Sequence, residues 1–335
     1  MHKVITAACL LSISAAVAQA GTTVFRLEMM GTEMQRRAVI HIPDDILATK
    51  TLSPVIFALH DQGSAPSIME RKSNLLARAD SEGFIVVFPA GHSRDGLKGH
   101  HWNVAPFEIP EDQIPMESDI AFMDRIADHL EEQQVLDREK IYIAGFGSGG
   151  SMAYRLACEN PEKFSAIASV GGTMTSEGCL TDAPVSVLHL HGMNDKHIPY
   201  LGGAADPKVT PYTAQVDNNF KNTQWPDAMT QLRSWERRLT CNALPEKTST
   251  KDVICSVTQC DSEATVKSCL SLSAGHEWMG SERNQPGIVK RKKSGEAVFS
   301  ATSHMWDFFR EAAGPKSELN DPDAIQVLLE DVGAE

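Results

Sequence analysis

The sequence predicts an α/β fold, with a mostly parallel central sheet and helices on both faces, and three observations carry that expectation. Apolar runs of strand length alternate with helix-length amphipathic segments along the chain, which is the pattern of β and α units wound into one layered sheet. Several runs, such as residues 54–60 (PVIFALH) and 84–88, are apolar without interruption, as expected of strands buried on both faces. Polar clusters also fall just beyond the carboxyl ends of expected strands, at residues 145–150, after His191 and at Gly275-His276. Ligands bind at those ends in sheets of this kind.

Taken in order, residues 24–30 and 35–42 read as a hairpin with Gly31-Thr32 as its turn signal. The buried strand 54–60 follows, then a helical stretch around 68–82 and the strand 84–88, closed by Pro89. Residues 90–118 form a loop rich in Gly, His and Pro, long enough to serve as a lid or a binding wall. Trp102 within it is expected to offer an aromatic face to an acyl or phenolic group; a plain core tryptophan is the alternative. Residues 119–134 place Ile120, Met123, Ile126, Ala127 and Leu130 at helical spacing. After the strand and turn at 141–150, a helix runs to Asn160-Pro161, and strands are expected at 164–171 and 185–191. Residues 205–225 read as a polar surface insertion. A helix at 227–238 leads into a cysteine-rich stretch, 241–269, then a short strand at 270–273 and a last helix at 301–312. No internal repeat is present.

The first twenty residues carry one cation, Lys3, an apolar middle and Ala18-Gln19-Ala20 at their end, the outline of a secretory signal peptide with its cleavage site. Its apolar run is too short to span a membrane. The expected organisation is a signal peptide 1–20, a single domain 21–315 and an acidic, loosely held tail 316–335, in a secreted or periplasmic protein. The formal charge of −13 disfavours nucleic acid and anionic membranes as partners, and the basic run 290–293 reads as a solvated loop. Of seven cysteines, six remain once Cys9 leaves with the signal peptide, and an even number in an exported chain favours disulfides. The sequence alone does not choose among their pairings. A C-x4-C spacing at Cys255 and Cys260 has no histidine at ligand spacing nearby, so zinc is the weaker reading; no metal or cofactor is expected.

The chemistry concentrates in IYIAGFGSGG, residues 141–150. A strand entering a turn of the form G-x-S-x-G carries a nucleophilic serine at its apex in α/β-hydrolases. Here Gly145 and Gly149 take the flanking places and the apex is Gly147; the serine comes one residue late, at Ser148. With Ser148 as apex, the position two before it would be the large Phe146, and the side chain would turn away from the base. Ser148 is thus a displaced candidate for the nucleophile. The acid candidate is Asp195, in HGMND after an apolar strand, and the base candidate is His276, in AGHEW on a glycine-bearing loop. Their order, nucleophile then acid then histidine, is that of the α/β-hydrolases. His189 and His191, on one strand, are expected to face opposite ways and to be structural.

Taken together, the segments LHDQGSA (59–65), EGFIVVFPAG (82–91), HWN (101–103), IYIAGFGSGGSMAYRLACE (141–159), HLHGMNDKHIPY (189–200) and AGHEW (274–278) make the chain resemble the secreted polyhydroxybutyrate depolymerase and feruloyl esterase family of α/β-hydrolases, from about residue 36 to 309. That resemblance implies an α/β-hydrolase fold and an extracytoplasmic carboxylic ester hydrolase acting on polyester, short oligomers or feruloylated sugars. It implies Asp195 as acid, His276 as base, and an oxyanion hole built from the loop after His60, especially Asp61 and Gln62, with the Ser148 N–H as second donor. It also favours the disulfides Cys158–Cys179 and Cys241–Cys260, with Cys255 and Cys269 as the remaining pair. Two departures stand out: Gly147 in the nucleophile's place, and Asp61-Gln62 where glycines are usual. A carboxylate beside an oxyanion site opposes its purpose. The expectation is therefore impaired activity, with a non-catalytic binding protein using the same cleft for an ester ligand as the alternative.

Overall fold

The computed structural model describes residues 22–28, 35–93, 99–104, 118–174, 179, 184–206, 208, 224–281 and 299–312. The expected signal peptide, the turn at Gly31-Thr32, most of the loop 90–118, most of the insertion 205–225, the basic run and the acidic tail lie outside the described residues. The strands are β1 Thr22–Glu28, β2 Gln35–His41, β3 Ser53–Leu59, β4 Ile85–Pro89, β5 His92–Ser93, β6 His100–His101 and β7 Leu136–Phe146. They continue as β8 Ala166–Val170, β9 Ser186–Gly192, β10 Gly203–Ala204, β11 Gln224–Trp225, β12 Glu246–Ser249, β13 Val253–Gln259 and β14 Thr265–Ser271. The helices are α1 Asp44–Thr49, α2 Pro66–Ser73, α3 Leu75–Glu82, α4 Asp119–Glu132, α5 Ser148–Glu159, α6 Ala228–Arg238 and α7 Ala301–Glu311.

Ten strands form one sheet in the order β1-β2-β4-β3-β7-β8-β9-β14-β13-β12. The six from β4 to β14 pair in parallel, and antiparallel pairs extend the sheet at both edges. Alternate residues of one strand feed opposite cores, because successive side chains point to opposite faces. In β3, Val55, Phe57 and Leu59 pack with residues of α4, α5 and α6, whereas Ile56 and Ala58 pack with those of α2, α3 and α7. Both faces of β3, β4 and β8 are covered, so these strands are buried nearly throughout and their sequences are largely apolar. This is the α/β-hydrolase architecture the sequence predicts.

Two expectations change. The helix at 68–82 is two helices, broken at Asn74, whose φ of 52° ends α2 in the left-handed region; asparagine tolerates that conformation better than most residues. The cysteine-rich stretch carries the three strands β12, β13 and β14, with β14 parallel to β9, and the short strand expected at 270–273 is the end of β14. β12 is exposed along its length, so it lacks the alternating apolar signal that marks a half-buried strand.

Cys158–Cys179 and Cys241–Cys260 pair as the resemblance implies, and Cys255–Cys269 is the remaining pair. Cys255 and Cys269 stand directly opposite in the β13–β14 register. This leaves neither Cys255 nor Cys260 available as a thiolate ligand.

Candidate active site

The register of the sheet assembles the site. β3 and β7 are neighbours, with Leu59 opposite Gly145, so two residues further along, the β3 loop brings Asp61 beside Gly147. Gly147 links β7 to α5 at φ 55°, a region that L-residues enter only under strain. The tight packing of the turn fixes its apex. A Cβ on Gly145 would lie 2.0 Å from the Gly149 carbonyl oxygen, and one on Gly149 would lie 2.5 Å from that of Leu59. These two close approaches stand two residues on either side of Gly147, which identifies the apex. Ser148 is the buried first residue of α5, and its Oγ has no hydrogen-bond partner. Its hydroxyl is thus unengaged with the histidine, and only its backbone N–H takes part in the site.

Asp195 lies in the turn that follows β9. Its Oδ1 accepts hydrogen bonds from the N–H groups of His197, at 2.8 Å, and Ile198, at 2.9 Å. Its Oδ2 faces His276 Nδ1 at 2.7 Å. Asn194 ties this turn to the segment carrying His276, donating from its backbone N–H to Ala274 O at 2.9 Å and from Nδ2 to Leu272 O at 3.0 Å. The acid and base candidates, 81 residues apart, are thus brought together as the sequence implies.

His189 and His191 do not face opposite ways. Residues two apart on a strand share a face, and the two rings stack with His189 Nε2 and His191 Nδ1 3.1 Å apart. His191 Nε2 donates to Ile198 O at 2.8 Å, so its Nδ1 accepts from His189, whose own Nδ1 accepts from the Tyr154 hydroxyl at 2.9 Å. Burial pushes the Tyr154 hydroxyl pKa up, and burial with His191 alongside pushes that of His189 down. The result is an oriented chain of hydrogen bonds. It braces the 195–198 turn from beneath, with His191 Nε2 3.5 Å from Asp195 Oδ2.

Asp61 occupies the centre. Its Oδ1 accepts from the N–H of Gln62 at 2.7 Å and of Ser148 at 3.0 Å. These are the two backbone donors an oxyanion hole would use, and here they converge on a side-chain oxygen. Its Oδ2 lies 3.1 Å from His276 Nε2, in the position a nucleophile's oxygen would take. A Cβ on Gly147 would come within 2.0 Å of Asp61 Oδ1, so the carboxylate fits only because residue 147 has no side chain. His276 therefore sits between two carboxylates. Burial works against a charged ring, but Asp195 and Asp61 together push its pKa up to about 10. Burial likewise opposes ionisation of Asp61, yet His276 and the Ser148 N–H hold its carboxyl at about 2. The resting pair is an imidazolium and a carboxylate. A protonated His276 has no lone pair with which to take a proton from a hydroxyl.

Of the other candidates, His60 is buried, with Nδ1 donating to Asp61 O at 2.8 Å and Nε2 accepting from the Gly91 N–H at 3.0 Å. Burial takes its pKa down to about 4, which keeps the ring neutral. The Gln62 side chain turns inward to His101 Nδ1 at 2.7 Å. Trp102 is not an aromatic wall of the cleft. It has 0% exposure, stacks against His60 and donates from Nε1 to His60 O at 2.7 Å. Its indole belongs to the core beneath the Asp61 loop, the alternative the sequence left open. Three neighbours carry no sequence signal of their own. His197 stacks on His276 with centroids 4.6 Å apart, Phe146 lies against the same ring at 4.7 Å, and Lys72 Nζ stands 4.6 Å from the Phe146 ring centre. His197 lies inside a segment quoted for the resemblance; Lys72 comes from α2 and could not be placed without the fold. Among the described residues no cluster of His, Cys, Asp and Glu is arranged to hold a metal ion.

Comparison with known proteins finds similarity to esterases. A family model described as phospholipase/carboxylesterase matches residues 104–234. A putative esterase of Nocardia uniformis subsp. tsuyamanensis is 30% identical over 278 residues, covering 79% of this chain and 76% of the relative. A probable feruloyl esterase C of Aspergillus niger is 34% identical over 85 residues, 25% of this chain and 32% of that protein. Among solved structures, the acetyl xylan esterase from Aspergillus awamori is similar with a TM-score of 0.51 at 13% identity, covering 86% of this chain and 99% of that one. That likeness concerns the fold.

Proposed function

Because the chain belongs to the polyhydroxybutyrate depolymerase-like and feruloyl esterase family of α/β-hydrolases, we propose that it is an exported, esterase-derived protein in which serine-based ester hydrolysis is impaired. The observation that carries this reading is the Asp61 carboxylate, which fills both the oxyanion hole and the nucleophile's seat above Gly147. In this reading Asp195 is the acid that orients His276, and His276 is the base held in its charged form. An ester carbonyl entering the site meets a negative charge where its own developing charge needs donors. The ester class its relatives' names suggest is a feruloyl or acetylxylan ester, and the family resemblance adds a polyester oligomer. Export is supported by the signal-peptide pattern at residues 1–20 and by three disulfides. A protein that keeps the cleft only to bind such a ligand is the second reading, favoured by the same filled hole. The retained pairing of Asp195 with His276 weighs against it, since binding alone has no need of an acid-base pair.

The test uses p-nitrophenyl acetate and a serine-directed fluorophosphonate probe. Hydrolysis is expected near the residual level of roughly 10³–10⁴ over water that survives loss of a triad nucleophile, and the intact mass is expected to stay unlabelled. Turnover at ordinary esterase rates, with one probe adduct mapping to Ser148, would overturn the reading.

A further inference from the structure

The arrangement at Asp61 is more than a plug. One carboxylate oxygen is held by two backbone N–H groups, and the other points toward a histidine backed by an aspartate. The Asp61 side chain is 24% exposed, whereas that of Asp195 is wholly buried. A carboxylate is a poor nucleophile toward an ester carbonyl but a competent one toward saturated carbon bearing a good leaving group. The Ser148 hydroxyl, by contrast, is buried and makes no hydrogen bond to His276.

We propose that Asp61 is itself a nucleophile, and that the site hydrolyses small, unhindered alkyl electrophiles whose leaving group departs as a stable anion, such as alkyl halides. In the first step Asp61 Oδ2 forms a bond to the alkyl carbon as the carbon–halogen bond breaks, the halide leaving with the bonding pair. The product is an alkyl ester of Asp61, and its carbonyl oxygen is Oδ1, already within 3.0 Å of both N–H donors. Alkylation removes one of the two negative charges that hold His276 protonated, so the ring releases its proton to solvent. A water then attacks Asp61 Cγ, His276 Nε2 takes its proton, and the negative charge on Oδ1 falls on the Gln62 and Ser148 N–H groups. The Cγ–Oδ2 bond breaks and the alkoxide takes the proton from His276. The new Asp61 carboxyl ionises and its proton returns His276 to the imidazolium. One water and one alkyl halide yield one alcohol, one halide ion and one proton.

The same geometry selects the electrophile. His276 Nε2 stands 3.1 Å from the attacking oxygen, on the nucleophile's side of the carbon, and in-line displacement sends the leaving group to the opposite side. His276 therefore cannot protonate it, and a group that needs no proton is the class that fits.

This inference rests on the reading that Asp61 rather than a serine occupies the reaction seat, and its experiment fails separately. The full chain is incubated with n-butyl bromide and bromide release is followed. Release is expected at least about tenfold above buffer and is lost in Asp61→Asn. His276→Gln is expected to release about one bromide per protein and then stall, with a butyl group on the peptide containing Asp61. In a single turnover of the unmodified protein in oxygen-18 water, the label is expected in the Asp61 carboxylate and the alcohol is expected unlabelled. Bromide release no faster than buffer, release that survives Asp61→Asn, or label appearing in the first-turnover alcohol each overturns the proposal. None of these outcomes alters the aryl-ester result, which decides the impaired-serine reading by itself.

Discussion

Two loops deliver aspartates to the same imidazole, and they treat them differently. The turn after β9 buries Asp195 and satisfies one of its oxygens with two N–H groups of its own loop. The loop after β3 supplies only one of the two donors for Asp61 Oδ1; the other belongs to Ser148 at the start of α5. Asp195 is a structural charge, braced by the chain from Tyr154 through His189 to His191. Asp61 bridges two loops and is partly open to solvent. The same side chain orients a histidine from one loop in one place, and in the other it reaches across to the N–H at the start of a helix. What separates the roles is where the second set of donors comes from.

The comparison breaks most completely if the seat is returned to a serine. Asp61→Gly combined with Gly147→Ser empties the hole and supplies a hydroxymethyl beside His276. Aryl-ester hydrolysis is expected to rise at least about a hundredfold, since a triad serine contributes on the order of 10⁶ in kcat in the best-studied case. Gly147→Ser alone is expected to give far less, because the new Cβ falls 2.0 Å from Asp61 Oδ1. Comparable activity in the single variant would show that Asp61 yields its place readily.

The support beneath Asp61 is tested next. Trp102→Ala empties a wholly buried site beneath His60 and is expected to cost roughly 3–5 kcal/mol of stability, read by denaturant unfolding. A loss near zero would restore the cleft-wall role to that indole.

The smallest effect concerns protons. The His276 contribution is present below its ordinary pKa of 6.5 and is lost as pH climbs through about 10. The Asp61 contribution is present above its ordinary 3.8 and is lost as pH falls through about 2. In Asp61→Asn the His276 titration, followed by NMR, is expected to move down, and the decline of stability with rising pH is expected to shift with it. An unchanged titration would mean that Asp195 alone holds the proton.

Much of this site was legible in the sequence because strand-end motifs carry their own geometry. Gly145, Gly147 and Gly149 marked the turn and its register, and Asp195 and His276 followed strands in the expected order. What stayed hidden depends on register between segments distant in sequence. That Asp61 enters the hole follows from Leu59 standing opposite Gly145, which no local pattern records. Trp102 falls in a loop long enough to wall a cleft, yet it is wholly buried and hydrogen-bonded to His60, which places it in the core. The error over His189 and His191 lay in the parity of the strand rather than in missing information.

The contact between residue 147 and Asp61 also constrains how this chain can change. Asp61→Gly by itself leaves an open hole with nothing to attack the substrate. Gly147→Ser by itself sets a hydroxymethyl against a carboxylate anchored by three hydrogen bonds. Each step alone is expected to recover far less ester hydrolysis than the pair, so selection acting on one substitution at a time meets little gain at the first move. The pair behaves as a latch. Two positions 86 residues apart, brought into contact by strand register, are expected to change together.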